Sequence, residues 1–247
     1  MVDPARRDEL TAHVGTYLTG RRRERIEAVL AQRTRYLTLV LEDLYQPHNA
    51  SAVLRSCECF GVQDVHVVEG RNAYRVNEQV AQGAGRWLDL YRYRAAEGQD
   101  LHTCARHLRD RGYRLVAATP GLDSVPVAQL PVDRPLAVIL GTEEEGLSPA
   151  ALGLAEARVR VPMYGFTESF NVSVSAALIL GELSRRVRVA DVPWQLGDEE
   201  KAELRHCWYC RSVRGSALII ERYQAAGAAA RGALPLPENT DQGETAP

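Results

Sequence analysis

Short apolar runs alternating with helix-like stretches constrain this chain more than any other feature of its sequence. YLTLVLEDL (36–44), Val65–Val68, Arg114–Ala118, Pro135–Leu140 and Arg158–Val161 are apolar or β-branched segments of strand length. Between them lie Asn49–Phe60, closed by Gly61, and Leu101–Arg111, closed by Gly112, then Pro149–Ala155 and Val172–Val189, broken by Pro193. These carry apolar residues at helical spacing, and glycine just past a helix end suits the left-handed C-cap. Asn49 is placed to cap its helix. Strands that are apolar on both sides belong inside a parallel sheet covered on both faces. The pattern predicts the α/β class, with helices on both faces of that sheet.

The termini read differently. Residues up to about Arg33 suggest one amphipathic helix, with Ile26, Val29 and Leu30 on one face. After Pro193, DEEKAELRHCWYCRSVRGSALIIERYQAA has helical composition, with Gly215 as a possible break. From about Gly227 the chain is rich in Gly, Ala, Pro and acids, which predicts disorder. The expected organisation is a basic N-terminal helical extension (1–35), a sheet domain (36–190), a C-terminal helical extension (191–226) and a disordered tail (227–247).

Charge and cysteine usage narrow the class of function. The net charge of −2 excludes a broadly basic nucleic-acid binder, but Arg21, Arg22, Arg23, Arg25, Arg33 and Arg35 face only Glu24 and Glu27 in one short run. Lys201 is the sole lysine, so nearly every cation is a guanidinium, the better group for bidentate phosphate contacts. Five cysteines form no disulfide pattern, and His206, Cys207 and Cys210 lack the second ligand pair of a zinc site, so no metal is expected. No apolar run is long enough to span a membrane, and MVDPARRDEL lacks the apolar core of a secretory signal. A cytoplasmic protein without a membrane partner is expected.

Three polar segments stand at strand ends, where open α/β sheets place ligands. PHNASAVLRSCECFGV puts Arg55 six residues after Asn49 in a helical pattern; AVILGTEEEGLS turns at Gly141 and Gly146 around three glutamates; VPMYGFTESFNVSVSAALIL runs from a strand end through Ser169 and Asn171 into a helix. Singly, each has a bland reading: a solvated arginine, an acidic turn, an N-cap. GAGRWL (83–88) lacks the third small residue of a dinucleotide fingerprint and opens no helix, and no phosphate-loop motif is present. A nicotinamide-dependent oxidoreductase is therefore disfavoured.

Taken in order, these segments resemble the SpoU branch of the SPOUT superfamily, RNA 2′-O-ribose methyltransferases, from about Tyr36 to Val189. The pattern is Asn-to-Arg, then GxExxG, then SxNVSxAxxL. The PHN start, VNEQVAQGAGRW and the single helical N-terminal extension are most similar to members acting on the D-loop guanosine at tRNA position 18. The resemblance implies a deep C-terminal trefoil knot, a homodimer and S-adenosylmethionine as cofactor, bound mainly by main-chain groups. By motif position, it implies that Thr119, Leu140, Gly141, Val161, Met163 and Phe170 line the cofactor pocket. It further implies that Asn49, Arg55, Glu143, Ser169 and Asn171 are the catalytic set.

A free guanidinium titrates far above neutral pH, so deprotonating one at pH 7 costs on the order of 8 kcal/mol. Two roles for Arg55 follow: general base with a strongly depressed pKa, or charged group holding phosphate and developing oxyanion. Glu143 is expected to orient polar groups rather than take the proton. Glu168 departs from the family pattern, which has an uncharged polar residue there. For RNA capture the candidates are Arg21, Arg22, Arg23 and Arg25 with Arg205, Arg211 and Arg214, and secondarily Arg185, Arg186 and Arg188. Ribosomal RNA or another tRNA position is the competing substrate, and a catalytically silent RNA-binding paralogue the competing class.

Overall fold

The computed structural model describes residues 3–72, 74–75, 77–121, 123–142 and 145–232. In chain order the elements are α1 (Pro4–Gly15), α2 (Gly20–Leu30), β1 (Leu37–Glu42), α3 (Pro47–Cys59), β2 (Asp64–Glu69), α4 (Glu78–Ala81), β3 (Asp89–Arg94) and α5 (Leu101–Asp110). They continue with β4 (Arg114–Ala118), β5 (Val125–Pro126), β6 (Leu136–Leu140), α6 (Pro149–Leu154), β7 (Ala157–Arg160), α7 (Val172–Val189), α8 (Asp198–Ser212) and α9 (Ser216–Gly232). Glu27–Lys201 forms one compact unit; the described residues of Met1–Ile26 and Ala202–Pro247 form another. No helix among the described residues is long and apolar enough to cross a membrane.

The larger unit is a seven-stranded sheet in the order β3-β2-β1-β6-β4-β7-β5, with every pairing parallel. The expected α/β class is what the described residues form. Strand periodicity sorts the core into two layers. Leu37, Leu39 and Leu41 of β1 and Leu136, Val138 and Leu140 of β6 join one cluster with α3 and α7. Val40, Ala137 and Ile139, from the same strands, point the other way to Cys104, Leu108 and Ala151 of α5 and α6. Central strands buried on both faces explain why these runs are predominantly apolar rather than alternating. α7 buries Val172, Ala176, Ile179, Leu180, Leu183 and Val187, a stripe at helical spacing, against α3. Where the two helices approach, a Cβ on Gly181 would already touch the Phe60 ring at 3.4 Å.

Several expectations change. The N-terminal segment is two helices, not one, separated at Thr16–Thr19. Asn49 does not cap α3: the helix starts at Pro47, whose fixed φ and missing N–H suit the first helical position, and Gln46 is the N-cap residue. Helix α9 continues to Gly232, past the expected onset of disorder at Gly227; residues 233–247 lie outside the described residues. The two terminal extensions share one unit, in which Arg22 reaches Ser212 Oγ at 3.4 Å and Thr11 Oγ1 lies 2.8 Å from His206 Nδ1. Cys210 Sγ is 3.8 Å from His206 Nε2 within that unit.

Arg33 and Arg35 leave the basic run altogether. Arg33 is buried, bonding Val62 O at 3.0 Å and Glu58 at 2.9 Å. Arg35 ties Asp64, Asp89 and Glu200 together at 2.8–3.0 Å. Both serve the sheet's N-terminal edge rather than a ligand.

On the α5 side, His66 is 1% exposed, stacked on Tyr91 at 4.8 Å and 3.1 Å from Tyr93 Oη. Burial, with help from nearby His107 and Arg111, pushes its pKa down to about 3. The unfolded chain therefore binds this proton near pH 6.5 while the folded chain refuses it until about pH 3. Stability from this group is complete above pH 6.5 and falls as the pH drops, by at most about 1.4 kcal/mol per unit. Urea titrations between pH 7 and pH 4 should show that decline, and His66→Phe should flatten it; an equally steep decline in the variant would remove His66 as its source.

Candidate active site

The end of β6 shapes the site. After Leu140 the chain closes a tight turn in which Thr142 N donates to Gly146 O at 3.0 Å and Gly146 N returns to Thr142 O at 3.1 Å. Thr142 Oγ1 also accepts from Glu145 N at 3.1 Å, and Gly146 has a left-handed φ of 70°. Gly141 is obligatory: a Cβ there would stand 2.1 Å from Gly146 O and 2.6 Å from Leu147 N, both main-chain atoms. Beside this turn end β4 at Ala118 and β7 at Arg160, joined where Thr119 N donates to Val159 O at 2.9 Å.

These strand ends, the turn and the start of α7 enclose a cavity of about 410 Å³. All six expected cofactor residues, Thr119, Leu140, Gly141, Val161, Met163 and Phe170, line it. Ser169 of the expected catalytic set lines it too, as does Glu168. Sequence reasoning missed Arg160, Glu145, Ser175 and Ile179 in the lining; of these, Arg160 and Glu145 flank strand ends already singled out.

Asn171 does two things at the rim. Its Oδ1 accepts from Ser173 N at 2.9 Å and Ser173 Oγ at 2.6 Å, capping α7. Its Nδ2 donates to Asn49 Oδ1 at 3.3 Å, so the first and third polar segments meet. Asn49 is 4% exposed and its Nδ2 donates to Gln46 Oε1 at 3.1 Å. Arg55, on α3, is exposed and is not part of the cavity lining. Glu143 lies outside the described residues.

The turn has a partner no sequence pattern suggested. Arg71 holds Glu145 through both terminal nitrogens, at 3.1 and 2.5 Å, and reaches Asp43 at 3.4 Å. The hydrogen bonds and charge of Arg71 hold the Glu145 carboxyl below its ordinary range. The same turn borders a second cavity of about 530 Å³, whose carboxylates are already engaged: Glu42 accepts from Ser148, and Glu69 from Arg92.

Of the expected RNA contacts, Arg21, Arg22, Arg23 and Arg25 are exposed on α2, Arg211 and Arg214 are exposed near the α8–α9 junction, and Arg205 is half-buried. Arg186 and Arg188 do not present themselves for phosphate. Arg186 donates to Val127 O at 3.0 Å; Arg188 donates to Gln32 O at 2.9 Å and lies over the Trp194 ring at 4.5 Å.

Residues 36–181, which hold the parallel sheet, the glycine-closed turn and the paired asparagines, match the SpoU rRNA Methylase family, to which the chain belongs. The chain is 36% identical to the tRNA (guanosine(18)-2′-O)-methyltransferase of Borreliella burgdorferi over 86% of its own length and 96% of that protein. It is 37% identical to the protein of that name from Thermus thermophilus, over 68% and 84% of the two chains. Among solved structures, the A. aeolicus TrmH/SpoU tRNA modifying enzyme superposes with a TM-score of 0.69 at 26% identity, covering 78% of this chain and 97% of that one.

Proposed function

We propose that this protein transfers a methyl group from S-adenosylmethionine to the ribose 2′-hydroxyl of a tRNA guanosine, the D-loop residue at position 18, in the cytoplasm. The observation that carries the reading is that one short segment, Ser169–Asn171, serves both halves of such a reaction. Ser169 and Phe170 line the cavity, and Asn171 ties α7 to the Asn49 end of α3.

The cavity fits the cofactor by its chemistry. Its volume lies within the range of small-molecule sites. Leu140, Val161, Met163 and Ile179 give apolar walls for a purine, and the Glu168 carboxylate suits a ligand of net positive charge. When bound, S-adenosylmethionine supplies an electrophilic methyl group. The chain must then orient the hydroxyl and manage its proton. Arg55, exposed on α3, suits the charged role: its planar fork holds an RNA phosphate and the developing oxyanion together. Ser169 is placed to orient that phosphate, and Asn171, fixed by Ser173 and Asn49, to orient the ribose. For Glu143, which lies outside the described residues, the assigned role is to orient polar groups rather than to take the proton.

The family resemblance supports two further assignments. One is a trefoil knot in the C-terminal part of residues 36–190, consistent with β4 lying between β6 and β7. The other is a homodimer, supported by an apolar strip of Phe170, Val174 and Leu178, each 40–44% exposed along the start of α7.

RNA capture falls to the unit built from both termini, with Arg21, Arg22, Arg23 and Arg25 on α2 and Arg205, Arg211 and Arg214 following. A contact to phosphate releases counterions, so each lost arginine should lower the slope of log affinity against log salt by about 0.7–0.9. Filter binding of unmodified tRNA to Arg23→Gln across a salt series should show this reduction with cofactor affinity unchanged; an unaltered slope removes Arg23 from the interface.

The reading is tested by incubating the full-length protein with methyl-labelled S-adenosylmethionine and unmodified tRNA or ribosomal RNA. Label in tRNA is the expected result. Label only in ribosomal RNA would move the substrate, and cofactor binding without label in any RNA would leave a silent RNA-binding paralogue.

A further inference from the structure

The loop between β7 and α7 leaves the cofactor cavity at Met163 and rejoins it at Glu168. Between those lining residues stand Tyr164 and Phe166, fully exposed at 99% and 109% relative exposure. They differ in kind from Phe170, Val174 and Leu178 on the neighbouring helix start, which are only 40–44% exposed. Each ring carries a large apolar area that water solvates poorly. Two bare rings within three positions of a cavity lining are out of keeping with a core that buries most of its large side chains.

We propose that Tyr164 and Phe166 form a stacking platform for unpaired bases of the RNA segment that carries the acceptor nucleotide, an assignment that rests on the methyl-transfer reading above. The acceptor ribose has to reach the cofactor cavity, and this loop borders the cavity at both ends. RNA read in single-stranded form presents unstacked bases, and aromatic side chains take their faces with little regard to sequence. Glu168, exposed two residues from Phe166, does not repel the face of a neutral base.

The test uses the full-length protein, an unmodified tRNA transcript and the same RNA carrying 2-aminopurine in the loop that is methylated. Tyr164→Ala and Phe166→Ala should each weaken RNA binding about tenfold, and the double variant about a hundredfold. Cofactor affinity by calorimetry should stay within twofold. Tyr164→Phe, which keeps the ring face, should bind RNA like the unaltered protein. Quenching of the 2-aminopurine on binding should be lost in the double variant. Unchanged RNA affinity in the double variant, with the unaltered protein still methylating tRNA, overturns the platform and leaves the enzyme reading intact. Conversion of the variants to a smaller species in sedimentation overturns it as well, because the rings would then belong to a contact with a second copy. Absence of methyl transfer by the unaltered protein to any RNA overturns both.

Discussion

Arg55→Ala should lower the single-turnover rate of methyl transfer by roughly 10³-fold, in the range seen when a preorganised donor or proton-transfer group is removed. Cofactor affinity should not change, because Arg55 stands outside the cavity lining. Stability should not change either, because the side chain is exposed on α3. Arg55→Lys separates charge from shape: the ammonium keeps the charge but lacks the planar fork, so the rate should remain roughly 10²-fold low. Near-normal turnover by Arg55→Lys would contradict any role that depends on the guanidinium. A rate that recovers in Arg55→Lys only at high pH would instead favour proton removal by this residue.

Gly141→Ala should abolish cofactor binding at ordinary concentrations. The added methyl would lie 2.1 Å from Gly146 O, 2.3 Å from Gly146 C and 2.6 Å from Leu147 N. These are main-chain atoms, so no side chain can swing aside to make room. The turn from Thr142 to Gly146 has to open, displacing Thr142, Glu145, Gly146 and Leu147 from the cavity wall together. Overpacking of this kind costs about 3 kcal/mol or more, equivalent to a loss of affinity of more than about a hundredfold. Gly153→Ala is the matched control: nothing lies within 4 Å of a Cβ there, and alanine favours the helical conformation of α6. Calorimetry with S-adenosylmethionine reads both variants. Intact binding by Gly141→Ala would mean that the turn does not form the cofactor wall.

The sheet was legible in the sequence because burial on both faces imposes a local signature. β1 and β6 are buried along their whole length, which calls for apolar residues at nearly every position; Thr38 is accommodated by donating to Asp64 O and Glu42 by accepting from Ser148 N. The cofactor wall was legible for a different reason. Motif order placed Thr119, Gly141 and Val161 at the ends of β4, β6 and β7 and Phe170 just before α7, and parallel pairing brings those strand ends together.

What stayed hidden depends on contacts distant in the chain. Nothing near Arg33 or Arg35 distinguishes them from Arg21–Arg25; their burial follows from Glu58, Asp64, Asp89 and Glu200, which only the fold brings near. Arg71 and Glu145 are separated by 74 positions, and neither belongs to a helical or strand pattern. The joining of the two termini rests likewise on pairs such as Arg22 and Ser212. Asn49 was assigned to a helix cap on local grounds, and its partner proved to be Asn171, 122 residues away.

The central claim is that the Ser169–Asn171 segment and α3 direct a cofactor methyl group onto one ribose of tRNA. Mass-spectrometric mapping of an unmodified tRNA transcript after incubation with the full-length protein and S-adenosylmethionine tests it most directly. The predicted result is a single added methyl on the ribose of the guanosine at position 18, absent with Arg55→Ala. A methyl group on a base, or on the ribose of any other nucleotide with position 18 unmodified, would contradict the account.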